Sequence, residues 1–172
     1  MTLETQLFVH YAEPYDFSIK PVINGYTCKP QSGGMWTSTY KNNGNSGWTE
    51  FLLSNRIETH DLNELSWFLV YPKSEARILV INSISDAITL YKRYGIKNSD
   101  FPTKKNMMAI DFVSIEEEYD GINLTHKCQL ETSDRSVFPN FYGWDCESTL
   151  WFRWKFDLCK KIKEPEKRIK SK

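Results

Sequence analysis

The chain has 172 residues, enough for one domain with a sizeable core, and 15 % of them are aromatic, including six Trp, nine Tyr and ten Phe. The formal net charge is zero but uneven: residues 160–172 carry seven Lys or Arg against Glu164 and Glu166, so the rest of the chain is acidic. No stretch is apolar enough to span a membrane, and the N-terminus lacks the charged and apolar regions of a signal peptide. Cys28, Cys128, Cys146 and Cys159 form no CxxC pair, and His10, His60 and His126 are scattered, which argues against a zinc site and a disulfide framework. A reducing cytoplasm is the expected setting. The expected layout is a single domain over residues 1–159 followed by a solvated basic tail over 160–172.

In chain order, Leu7-Phe8-Val9-His10-Tyr11 predicts a first strand ending at His10 or Tyr11, before Pro14. Gly33-Gly34 leads into a second strand over residues 35–38, where the glycine pair permits close backbone approach. Trp48, Phe51 and Leu52 lie at helical spacing after Ser46, a candidate cap. Residues 65–71 and 76–81 read as two strands, the first stopped by Pro72. Ser83 or Ser85 then caps a helix with Ile84, Ile88 and Tyr91 on one face, ended by Gly95. Residues 110–119 read as a helix with Phe112, Ile115 and Tyr119 inward and a solvated Glu116-Glu117-Glu118 run. Residues 122–125 read as a short strand, and 127–140 as polar and irregular. Strands and helices mix without βαβ alternation, which predicts an α+β fold.

The stretch from Gly143 to Trp154 is aromatic and apolar, yet Asp145 and Glu147 stand at its entrance. If it is extended throughout, Asp145 and Glu147 share a face with Thr149, Trp151 and Arg153, and that face reads either as a cleft wall or as the wet outer face of an edge strand. Phosphate-binding glycine loops and a GxSxG elbow are absent from the sequence.

Three motifs in order carry a family resemblance: a first strand ending in His10-Tyr11, the glycine-led Gly33-Gly34-Met35-Trp36-Thr37-Ser38, and the late Asp145-x-Glu147. This set resembles the ADP-ribosyltransferase superfamily, which splits NAD and transfers ADP-ribose. His10 is similar to the first-strand histidine of one branch, Trp36 to its aromatic and Glu147 to its late glutamate. Thr37-Ser38 resembles the tail of the other branch's Ser-Thr-Ser motif, and Asp145 stands where that branch has Glu or Gln. Trp replaces the usual tyrosine, and Asp is shorter than Glu or Gln.

The resemblance implies a split mixed sheet with short flanking helices. It also implies NAD as substrate, and mono-ADP-ribosyl transfer to a protein or nucleic-acid acceptor. Glu147 would stabilise the oxocarbenium-like state, and Asp145 would position or deprotonate the acceptor. His10 and Tyr11 would contact the dinucleotide, Trp36 would stack on nicotinamide, and Ser38 would orient Glu147. Two readings without chemistry stand beside it: a binding or inhibitor module on the same fold, and a single-stranded nucleic-acid binder using exposed aromatics and the basic tail.

Overall fold

The computed structural model describes residues 3–10, 18–41, 44–54, 65–96, 109–134 and 137–163. Seven strands are described: β1 (Gln6–His10), β2 (Met35–Thr39), β3 (Ser66–Pro72), β4 (Ile78–Ile81), β5 (Gly121–Leu124), β6 (Ser148–Trp151) and β7 (Phe156–Ile162). The helices among the described residues are α1 (Gly47–Ser54), α2 (Ile84–Tyr94), α3 (Phe112–Glu118) and α4 (His126–Thr132). The strands form one mixed sheet in the order β4-β5-β6-β2-β1-β3-β7. Among the described strands only β4 and β5 pair in parallel, joined by a crossover that carries α2 and α3. The α+β class expected from the sequence is the class observed.

Register assigns the two faces. Gln6 pairs with Thr39 and Phe8 with Thr37; Thr37 pairs with Thr149, and Thr149 with Asn123. These residues, with His10 by alternation, share one face. Phe8, Met35, Phe68, Val70, Trp151 and Phe156 form an apolar cluster there. Four residues join the end of β6 to the start of β7, four places away in the sheet order, and the Trp151 and Phe156 rings lie 4.5 Å apart. Such a short link requires the sheet to curl, with this face on the concave side. The opposite, convex face carries the helices. Leu150, Ile122 and Leu124 pack there with α2, α3 and α4, while Leu7 and Trp67 pack with Leu52 of α1.

Helix ends follow the predicted chemistry. Ser46 Oγ accepts from Thr49 N at the start of α1, and Ser83 Oγ accepts from Asp86 N at the start of α2. The inward stripe of α2 is Ala87, Leu90 and Tyr94, whereas Ile84 and Ile88 are 37 % and 38 % exposed. The predicted stripe was one residue out of phase: the small Ala87, fully buried, lets the helix settle onto the sheet. Residues 126–132 are α4 rather than irregular chain. Only Cys128 and Thr132 are buried there, a stripe too narrow to show as periodicity, and Thr125 caps it by accepting from Cys128 N. Glu116 and Glu118 are not merely solvated, since Glu116 accepts from Val22 N and Glu118 from Arg93 and Tyr94. The basic segment is not wholly a tail either, because β7 runs to Ile162 and pairs Lys160 and Lys161 with β3.

Candidate functional site

Glu147 sits one residue before β6, beside the end of β2. Its Oε2 accepts from the Thr39 backbone N–H at 3.0 Å, and its Oε1 accepts from the Thr39 hydroxyl at 2.8 Å. Asn123 Nδ2 lies 3.4 Å from the same Oε1. The side chain is half-buried, so the carboxylate is fixed yet reachable. Burial pushes its pKa above the ordinary carboxylate value, an effect partly offset by the Thr39 and Asn123 hydrogen bonds and the Lys41 charge.

Thr39 belongs to a directed polar chain across the concave face. Trp151 Nε1 donates to Thr37 Oγ1 at 2.9 Å, and Thr37 donates to Gln6 Oε1 at 2.9 Å. Thr149 also donates to Gln6 Oε1, and Asn123 Nδ2 donates to Thr149 Oγ1 at 2.9 Å. The Gln6 amide nitrogen then donates to Thr39 Oγ1 at 3.2 Å, whose own proton goes to Glu147. Gln6, Thr37 and Thr149 are completely buried. Buried polar groups persist only when paired, so the chain leaves each hydroxyl one orientation and Glu147 one seat.

The structure divides the residues singled out by sequence. His10 shares the concave face with Glu147 but lies four residues along β1 from Gln6 and two strands away, roughly 16 Å at ordinary strand spacings. The two do not lie on neighbouring strands, because β2 runs between β1 and β6. Trp36 and Ser38 project to the convex side. Ser38 is buried, and its Oγ accepts from Trp48 N rather than reaching Glu147. Asp145 also leaves the Glu147 face. The chain bends at Cys146 and Glu147, which breaks the alternation, and Asp145 pairs with Lys29 at 2.7 Å beside Trp36. Tyr11 lies outside the described residues.

The group that orients Glu147 is therefore Thr39, one residue beyond Ser38. Gln6, Thr37, Asn123 and Thr149 complete its support; Thr37 and Thr149 stood out in the sequence without this role, and Gln6 and Asn123 did not stand out. A signal existed in the alternation Gln6-x-Phe8-x-His10 and Thr37-x-Thr39, where polar residues share a face within otherwise apolar strands. Among the described residues, no three His, Cys, Asp or Glu side chains gather as a metal would need. No helix among them is long and apolar enough to cross a membrane. No protein-family model, curated protein or solved structure matches the chain. The functional reading therefore rests on the site itself.

Proposed function

We propose that the chain is an NAD-cleaving protein of ADP-ribosyltransferase type, with Glu147 as its catalytic carboxylate. The observation that carries this reading is the seat of Glu147: a half-buried carboxylate, clamped through both oxygens by Thr39 at one end of the concave sheet face. The strand order supports it. The first strand, the glycine-led strand and the strand that follows Glu147 are consecutive in the sheet as β1, β2 and β6, so that Glu147 and His10 lie on one face of a single sheet.

In the proposed reaction the bond between nicotinamide and ribose C1′ breaks, and nicotinamide leaves with the bonding electron pair. Positive charge develops on the ribose. A pre-positioned carboxylate opposes that charge without reorganising, and it can accept a hydrogen bond from the ribose 2′-hydroxyl. Thr39 aims the carboxylate, and the two hydrogen bonds it donates favour the ionised form. His10, on the same face but remote, would meet only the far portion of an extended dinucleotide. Trp36, Ser38 and Asp145 stand outside this chemistry because they face the other way. The ribosyl acceptor is a protein or nucleic-acid group, or water in its absence.

The test is nicotinamide release from NAD by the full chain and by Glu147→Gln. The variant keeps the shape and removes the charge, so the rate should fall by about 10²-fold or more, the scale for losing one strong electrostatic stabiliser. NAD affinity should change far less, because the ground state lacks the full charge. Wild-type protein that neither binds NAD nor releases nicotinamide would replace this reading with a binding module on the same fold.

A further inference from the structure

The convex face holds a pocket that the Glu147 chemistry leaves unused. It is lined by Trp36, Trp48 and Trp144 together with Lys29, Asp145 and Cys146. The Trp36 and Trp144 rings stand 4.8 Å apart at 77°, nearly perpendicular. Trp144 is anchored by its indole N–H, which donates to Cys28 O at 2.7 Å. Burial raises the Cys146 thiol to about 11, so it lines the pocket as a neutral group. The loop bearing Lys29 is held by neighbouring bonds to α3, where Asn24 Nδ2 donates to Asp111 Oδ1 and Val113 N donates to Asn24 Oδ1.

One cation already occupies the mouth of this pocket. Lys29 Nζ lies 5.8 Å from the Trp36 ring centroid and 2.7 Å from Asp145 Oδ2. An ammonium over an indole face and against a carboxylate is the arrangement that recognises a ligand cation. We infer that the pocket binds a methylated ammonium group, and that Lys29 is a built-in occupant which such a ligand displaces.

Magnitudes favour that class over a plain ammonium. The Lys29 and Asp145 side chains are 33 % and 39 % exposed, and ion pairs so exposed contribute little, so moving Lys29 aside costs little. A free primary ammonium must still compete with a tethered copy of itself at high effective concentration. A trimethylammonium group carries the same charge, is weakly hydrated, needs no hydrogen-bond acceptor and covers indole surface with its methyl groups. It therefore gains where Lys29 does not. The inference does not depend on NAD cleavage, and its readout is binding alone.

The experiment titrates the full chain with choline, with N-acetyl-trimethyllysine amide, and with 3,3-dimethylbutan-1-ol, the uncharged isostere of choline, while tryptophan fluorescence is followed. At least one of the two cations should bind about tenfold or more tighter than the isostere, because the isostere keeps the methyl packing and loses the charge. Choline preferred over the lysine amide identifies a free small molecule as the source, the reverse identifies a modified protein segment, and either supports the pocket. Lys29→Met should tighten binding several-fold by removing the competitor, and Asp145→Asn should weaken it by a similar factor. Both positions are substantially exposed, so these variants test the site without unfolding it. Equal binding of the isostere, or failure of wild type and Lys29→Met alike to bind either cation, would overturn the inference.

Discussion

Replacing Thr39 with Val tests the seat of Glu147 directly. Valine keeps the shape and the strand preference of threonine but removes the hydroxyl that donates to Glu147 Oε1 at 2.8 Å and accepts from Gln6 Nε2 at 3.2 Å. The Gln6 amide nitrogen still has Glu4 O at 3.1 Å, so the main loss is one hydrogen bond to a charged group. Such bonds contribute ~1.5–3 kcal/mol, and the partial exposure of Glu147 allows water to replace part of it, which favours the lower end. For a chain of this length ~1.5 kcal/mol corresponds to a drop of about 3–6 °C in Tm. A double-mutant cycle with Glu147→Gln, measured by denaturant unfolding at pH 7, should return a coupling of about 1 kcal/mol. Losing a donor to the ionised form also raises the Glu147 pKa further, so the acid limb of the proposed NAD cleavage should move to higher pH. Additivity of the two substitutions within about 0.3 kcal/mol would show that the Thr39–Glu147 contact does not hold the carboxylate.

Three further outcomes follow from the same geometry. Because burial raises the folded-state pKa of Glu147 above the usual 4.5, its contribution to stability is complete below that value and is lost as pH rises through the raised one. The stability of wild type relative to Glu147→Gln, followed by thermal unfolding upward from pH 4.5, should therefore decline as pH rises; a growing advantage would reverse the sign. Trp151→Phe should cost about 1 kcal/mol more than Trp67→Phe in denaturant unfolding, since Trp151 Nε1 donates to Thr37 while the buried Trp67 Nε1 has no hydrogen-bond partner among the described residues. Ser83→Ala should lower stability by ~1 kcal/mol through loss of the α2 cap, and Ser83→Gly by only a few tenths, readable as a difference in unfolding midpoint.

Strands β1 to β5 were legible because each is a short apolar or glycine-led run bounded by a turn signal, as with Leu7-Phe8-Val9 or the segment stopped by Pro72, whereas β7 was not, because Lys160 and Lys161 read as the start of a basic tail. The caps at Ser46 and Ser83 were legible because a hydroxyl preceding an apolar stripe has a local cause. What local pattern could not show was the path of the chain around Glu147. Alternation placed Asp145 beside Glu147, but the bend at Cys146 and the pull of Lys29, 116 residues away in sequence, turned Asp145 to the other face. The same limit hid Gln6. A glutamine at the start of an apolar strand reads as the strand's wet end, and only its pairing with Thr39 across the sheet reveals it as the hub of a buried polar chain. Glu147 was found from its setting in an apolar segment, whereas all of its supports except Thr149 come from three other strands.

The central place of β6 also bears on how the chain can be assembled during synthesis. Emerging residues up to Leu124 can pair β1 with β2 and β3, and β4 with β5, but nothing yet joins these two groups. Until residues 148–151 leave the ribosome, the facing edges of β2 and β5 have open ladders. Open ladders invite pairing with other chains, and closing them demands contacts between distant parts of the sequence, which form slowly. A nascent chain stalled before Ser148 should therefore depend on chaperones far more than one stalled after Trp151. The strand that joins the two groups directly follows Glu147, so the joining of the sheet and the seating of Glu147 against Thr39 would come in a single late step.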